Sequence, residues 1–80
     1  MNIYNRIEKY AVEKINVNIK LMFTLNIEKK LEFTVIYKNK DRKNIILGRG
    51  DTVAASLNHA GQNISAMIYY GISSEQFTGI

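Results

Sequence analysis

From Val17 to Tyr37 the apolar residues fall at every second position, and no other feature of the chain constrains its fold as much. Val17, Ile19, Leu21, Phe23, Leu25 and Ile27 alternate with Asn18, Lys20, Met22, Thr24 and Asn26. Leu31, Phe33, Val35 and Tyr37 then alternate with Glu32, Thr34, Ile36 and Lys38. A period of two belongs to a β-strand with one face on a core. Two such runs around Glu28-Lys29-Lys30 predict an antiparallel hairpin. A three-residue loop sets Ile27 opposite Leu31, Leu25 opposite Phe33, Phe23 opposite Val35 and Leu21 opposite Tyr37. A slip by one residue would send half of these side chains to the other face, so the pattern itself favours this register. It also sets Lys20 opposite Lys38 and Met22 opposite Ile36.

The remaining segments are read around this hairpin. Ile3, Ile7, Ala11 and Ile15 recur every fourth residue, so residues 2–15 read as a helix with Asn2 as its cap and Asn16 at its exit. Lys38–Asn44 is a polar turn, and Ile45-Ile46-Leu47 is a short third strand with Ile45 facing Tyr37 and Leu47 facing Val35. Gly48 and Gly50 break that strand. Asp51 is placed to cap a helix over 52–60 with Val53, Leu57 and Ala60 buried, Thr52, Ser56 and His59 wet, and Gly61 as its left-handed stop. Ile64, Ala66, Ile68, Tyr70 and Ile72 alternate again and read as a fourth strand, followed by a turn near Ser73. The expected fold is α+β in the order α-β-β-β-α-β: an antiparallel three-stranded meander, a fourth strand after a short crossover helix, and helices on one face of the sheet.

Eighty residues suit a single domain over 1–80. A domain of this size buries only about 60% of its unfolded surface, so help from self-association is expected. With no Cys and one His, disulfides and clustered zinc ligands are excluded. No apolar run approaches the roughly 20 residues of a membrane span. The N-terminal residues lack the pattern of a secretory signal, and a cytoplasmic location is expected. Charge is uneven: residues 1–49 hold all 11 Lys and Arg and carry +6, whereas residues 50–80 carry −2, giving the net +4.

The Gly48–Gly61 stretch is the first place to look for chemistry. Gly48-Arg49-Gly50 before a helix has the form of an anion cradle, but it lacks the third Gly of a dinucleotide fingerprint and the Gly-Lys-Ser/Thr of a phosphate loop. A strand-to-helix turn is the stronger reading, with Arg49 as the residue that has no structural duty. Ser56 and His59 are three apart on a helix without an orienting acid, and no pair of carboxylates has catalytic spacing. No catalytic residue, metal or cofactor is therefore assigned.

Residues 3–61, read as αβββα, resemble the double-stranded-RNA-binding domain. In that family the second helix begins after a Gly-x-Gly-x-Ser/Thr turn, which Gly48-Arg49-Gly50-Asp51-Thr52 matches. The resemblance implies the topology. It does not extend to the family's phosphate clamp, a Lys-Lys pair after the Ser/Thr and a further Lys on the same helix, because Val53, Ala54 and Leu57 stand there. Phosphate contacts of that kind carry much of nucleic-acid affinity, so the function is not carried over. The expected fourth strand is also foreign to that family.

Two surfaces remain as binding candidates. In the expected register Met22, Ile36 and Ile46 form an apolar row across the outer face of the sheet, which Met67 and Tyr69 extend; such a row suits a homodimer or a partner protein. Lys20, Lys38, Lys40, Arg42 and Lys43, with Arg49 apart from them, are candidates for an acidic partner or phosphate. The expectation is a non-catalytic interaction protein that binds a protein and self-associates as a dimer. Its size and preference for AT-rich codons fit an inhibitor of the anti-defence type from a phage or mobile element. The alternative is a nucleic-acid or anionic-ligand module using the basic 38–43 turn and Arg49.

Overall fold

Asn2 caps the first helix as its sequence predicts: its side chain accepts the Asn5 N–H at 2.8 Å. In the computed structural model, which describes residues 2–80, this helix is α1 (Ile3–Ile15). It closes on Asn16 in the left-handed conformation (φ 56°), whose N–H reaches back to the last turn, as a C-terminal cap does. Then follow β1 (Lys20–Leu25), β2 (Leu31–Lys38), β3 (Asn44–Gly50) and α2 (Val53–Tyr70). The three strands form one antiparallel sheet in the order β1-β2-β3. The αβββα order is the one the resemblance implied.

The fourth strand does not exist. Residues 64–70 are the second half of α2, an 18-residue helix. Leu57, Ala60, Ile64 and Met67 are its buried stripe, spaced three and four apart as on one helical face. The alternation of Ile64, Ala66 and Ile68 shares only Ile64 with that stripe. Gly61 does not end the helix, because it lies inside it against the Cδ1 of Ile7. The true stop is Gly71, at φ 67°. The start also moves by one residue: Thr52 is the cap, its hydroxyl accepting the Ala55 N–H at 3.0 Å, and Asp51 lies before it. Ser56, expected on the wet face, is buried, and its hydroxyl donates to the Val53 carbonyl at 2.8 Å.

The hairpin register is shifted by two residues. Leu25 pairs with Leu31, Phe23 with Phe33, Leu21 with Val35, Met22 with Thr34 and Lys20 with Ile36. A shift of two keeps every side chain on its expected face; what changes is the loop, which becomes Asn26–Lys30. Asn26 builds it. Its side-chain oxygen accepts the N–H groups of Glu28 and Lys30, its carbonyl accepts that of Lys29, and Lys29 takes a positive φ of 60°. The β2–β3 loop, Asn39–Lys43, repeats this construction. Asn39 accepts from Asp41, Lys43 and Arg42, and Arg42 takes φ 62°. The sequences Asn-Ile-Glu-Lys-Lys and Asn-Lys-Asp-Arg-Lys thus encode one loop twice: an Asn side chain replaces backbone partners, and a long basic residue accepts the left-handed position.

β3 runs through both glycines instead of ending at them. A bulge lies between the Val35–Gly48 and Ile36–Ile46 pairs, so Leu47 is the extra residue and does not face Val35. Gly48 and Gly50 are needed for proximity. A Cβ on Gly48 would lie 2.6 Å from the Ser56 carbonyl oxygen and 2.8 Å from the Ala60 Cα, and one on Gly50 would lie 2.8 Å from the Ala55 Cβ. The backbone of α2 therefore rests directly on β3, held also by the Asn63 side-chain amide, which donates to the Leu47 carbonyl at 2.6 Å.

This close seat fixes the layout. α2 lies on β3 and β2, α1 packs on α2, and neither helix approaches β1 closely. The core is Ile7, Ala11 and Ile15 of α1, Val17 and Ile19, Val35 and Tyr37 of β2, Ile45 and Leu47 of β3, and the α2 stripe. From β1 only Leu21 joins it, half-buried. Among the described residues no helix is long and apolar enough to cross a membrane.

Candidate functional site

The far half of the β1–β2 hairpin projects beyond the helices with its apolar side chains uncovered. Phe23 is 69% exposed, Leu25 65% and Ile27 101%, and Leu31 is also exposed. Phe23 and Phe33 stand opposite each other on the face toward the helices, with ring centroids 6.2 Å apart and the planes tilted by 50°. These are the residues that alternation assigned to the buried face. Phe23, Leu25 and Leu31 do lie on the core side of the sheet, with Ile27 in the loop at its tip, but no helix lies over them. Isolated exposed apolar residues are ordinary on a protein surface, whereas a contiguous aromatic and aliphatic patch marks a contact surface.

Alternation does not separate covered from open positions. β1 has six residues and α2 has 18, so the open end is set by where the helices lie and not by element length.

The expected outer-face row is not assembled as drawn. Ile36 does stand opposite Ile46, but Met22 faces Thr34 and reaches Ile36 only diagonally. Ile36 is buried, Ile46 is half-buried and Met22 is exposed. Met67, at 2% exposure, belongs to the core. Tyr69 is exposed near the end of α2, where its ring makes an edge-on contact with Tyr70 at 4.9 Å. A substitution such as Ile36→Lys therefore probes folding rather than contact.

The basic residues separate into three places. Lys20 and Lys38 line a groove of about 920 Å³ together with Tyr4, Asn18, Ser74 and Glu75. They do not oppose each other, since Lys20 pairs with Ile36. Lys40, Arg42 and Lys43 are exposed on the β2–β3 loop, where the Lys40 N–H lies 3.4 Å from a Glu75 carboxylate oxygen. Arg49 stands at the opposite end of β3. It has a partner after all: its guanidinium is 3.9 Å from the Glu32 carboxylate of β2. Its backbone is also engaged. The Arg49 N–H donates to Nδ1 of His59 at 3.1 Å, and that ring nitrogen lies 3.2 Å from the Arg49 carbonyl oxygen. His59 and Ser56 thus each serve the backbone and are not turned toward each other.

Tyr37 is among the residues around the same groove, and its hydroxyl donates to the Ser74 carbonyl at 2.7 Å, tying the C-terminal segment to β2. Burial, aided by the Glu75 carboxylate, pushes its pKa up to about 12. A raised phenol favours folding in its neutral form. Its contribution is complete below the unfolded value near 10 and is lost as pH rises through about 12. In urea unfolding, Tyr37→Phe is expected to cost about 1 kcal/mol near neutrality. The gap between the two proteins should close between those two pH values. A gap unchanged across that window would contradict the assignment.

Comparison of the chain with protein families, with curated proteins and with solved structures finds no match. No family is assigned, and a functional reading has to stand on the surfaces just described.

Proposed function

We propose that this chain is a non-catalytic binding protein whose contact surface for a protein partner is the uncovered apolar face of the β1–β2 hairpin. The observation that carries the reading is the group Phe23, Leu25, Ile27 and Leu31 at its free end. Aromatic and aliphatic side chains grouped in this way are the usual anchors of protein interfaces. The two Asn-built loops and the seating of α2 hold the hairpin in shape, so it meets a partner with little ordering cost.

The test uses three tagged chains whose folding is checked by circular dichroism: the natural sequence, Ile27→Asp/Leu31→Asp, and Arg42→Glu/Lys43→Glu. Each is used to capture proteins from a lysate, and a captured protein is then titrated in purified form. The first double substitution is expected to weaken that binding roughly thirty-fold, the loss of about 2 kcal/mol typical of an interface anchor. The second is expected to leave binding nearly intact. Equal capture by all three chains, or loss confined to the basic-loop variant, would refute the reading.

A second reading keeps one specific support. Lys20 and Lys38 share a groove large enough for a small anion or nucleotide. Binding of phosphate-rich ligands that weakens steeply with salt, and is lost in Lys20→Glu/Lys38→Glu, would favour it.

A further inference from the structure

The two edges of the sheet are treated differently. At the β3 edge the C-terminal segment comes alongside: the Ile80 N–H donates to the Ile46 carbonyl at 3.1 Å, and Gly79 lies against the Ile46 backbone. Its ladder with β2 also carries a bulge, and such irregularity discourages further pairing. The β1 edge has none of these devices. Among the described residues no strand lies beside its outer edge, its ladder is regular from Lys20 to Leu25, and neither helix comes near it. Leu21-Met22-Phe23-Thr24-Leu25 contains no charge, Pro or Gly. Beyond Lys20 at its start, β1 is a regular and uncharged edge strand, and such a strand is a template for another.

We infer that the β1 edge takes the β1 of a second copy of this chain, antiparallel about a two-fold axis at Phe23. The strand is self-complementary in that register. Phe23 meets Phe23 of the second copy, Leu21 meets Leu25 on the face toward the helices, and Met22 meets Thr24 on the other. Lys20 falls opposite Asn26, so no like charges oppose each other. A two-fold contact must present one surface to itself, and on the face toward the helices Leu21, Phe23 and Leu25 are symmetric about Phe23. The product is a continuous six-stranded sheet. The Phe23–Phe33 pair of one copy continues into that of the other, giving a row of four rings. This association shares Phe23 and Leu25 with the proposed partner surface but uses the backbone edge of β1 and not Ile27 and Leu31, so either can fail alone.

The chain has no native cysteine, so single thiols report the geometry. Facing residues of paired strands lie roughly 4.5–5.5 Å apart at Cα, within disulfide range, whereas the two Phe33 positions would be about 14 Å apart, three strand spacings. Under mild oxidation Phe23→Cys is expected to convert most of the chain to covalent dimer, and Phe33→Cys is not. By sedimentation the unmodified chain is expected to show twice the mass of one chain. Phe23→Lys, which sets two ammonium groups face to face, is expected to sediment as a folded monomer. A natural chain that stays monomeric at the highest concentration it tolerates would overturn the inference, leaving the β1 edge to a strand of another protein. So would a Phe33→Cys cross-link as fast as that of Phe23→Cys, the sign of faces stacking rather than edges pairing.

Discussion

Gly48→Ala is expected to destabilise the protein by about 3 kcal/mol, the upper part of the range for overpacking. The backbone itself offers no objection, because Gly48 is not among the residues with positive φ. The cost is one of space. The added methyl would press on the Ser56 carbonyl and on the N–H and Cα of Ala60, backbone atoms that cannot turn aside as a side chain would. The whole of α2 would have to lift from β3, loosening the contacts of Leu47 and Leu57 and the bond from Asn63 to the Leu47 carbonyl. A domain of this size has little stability to spare. Gly71→Ala is the control. No atom lies within 4 Å of its added methyl, and its expected cost of about 1 kcal/mol comes from the left-handed φ alone. Urea unfolding of both variants separates the two causes. Equal losses would show that helix-to-strand proximity is not what Gly48 provides.

Met67→Ala is expected to cost about 3 kcal/mol, as for other large-to-small changes in a core. Ala66→Lys, one residue away, is expected to stay within about 0.5 kcal/mol of the natural sequence. A strand over 64–72 would reverse that order, with Ala66 facing the core and Met67 the solvent. The helix puts Met67 in the core, on one buried stripe with Ile64 and Leu57, and leaves Ala66 exposed. It also brings the Ser65 hydroxyl to 2.9 Å from that of Tyr10 on α1. Lys is a good helix former at an exposed site, so Ala66→Lys loses nothing that the fold uses. A costly Ala66→Lys beside a harmless Met67→Ala would restore the strand.

Local signals settled much of this chain. The caps at Asn2 and Asn16, the period of α1, and the faces of β1 and β2 were all legible, because each depends on residues within a few positions of one another. A loop length wrong by two residues did no harm to the faces, since the strand period is two. The repeated loop at Asn26 and Asn39 was not read from the sequence, because it shows only when side-chain oxygens are counted as partners for backbone N–H groups.

Where local signals conflicted, neighbours distant in sequence decided. Gly61 reads as a stop, yet α2 passes through it, because Ile7 lies against it and the Leu57–Met67 stripe has a core to face. Gly48 and Gly50 read as turn residues, yet their purpose is visible only from the helix that rests on them. Arg49 seemed idle until β2 brought Glu32 beside it. The candidate site follows the same division. Sequence alone determined that Phe23, Leu25 and Leu31 share one face, because alternation is a property of the strand. Only the tertiary structure decided that this face is open, because a strand cannot encode whether a helix lies over it: here two glycines in β3 draw the helices to one side of the sheet and leave β1 uncovered.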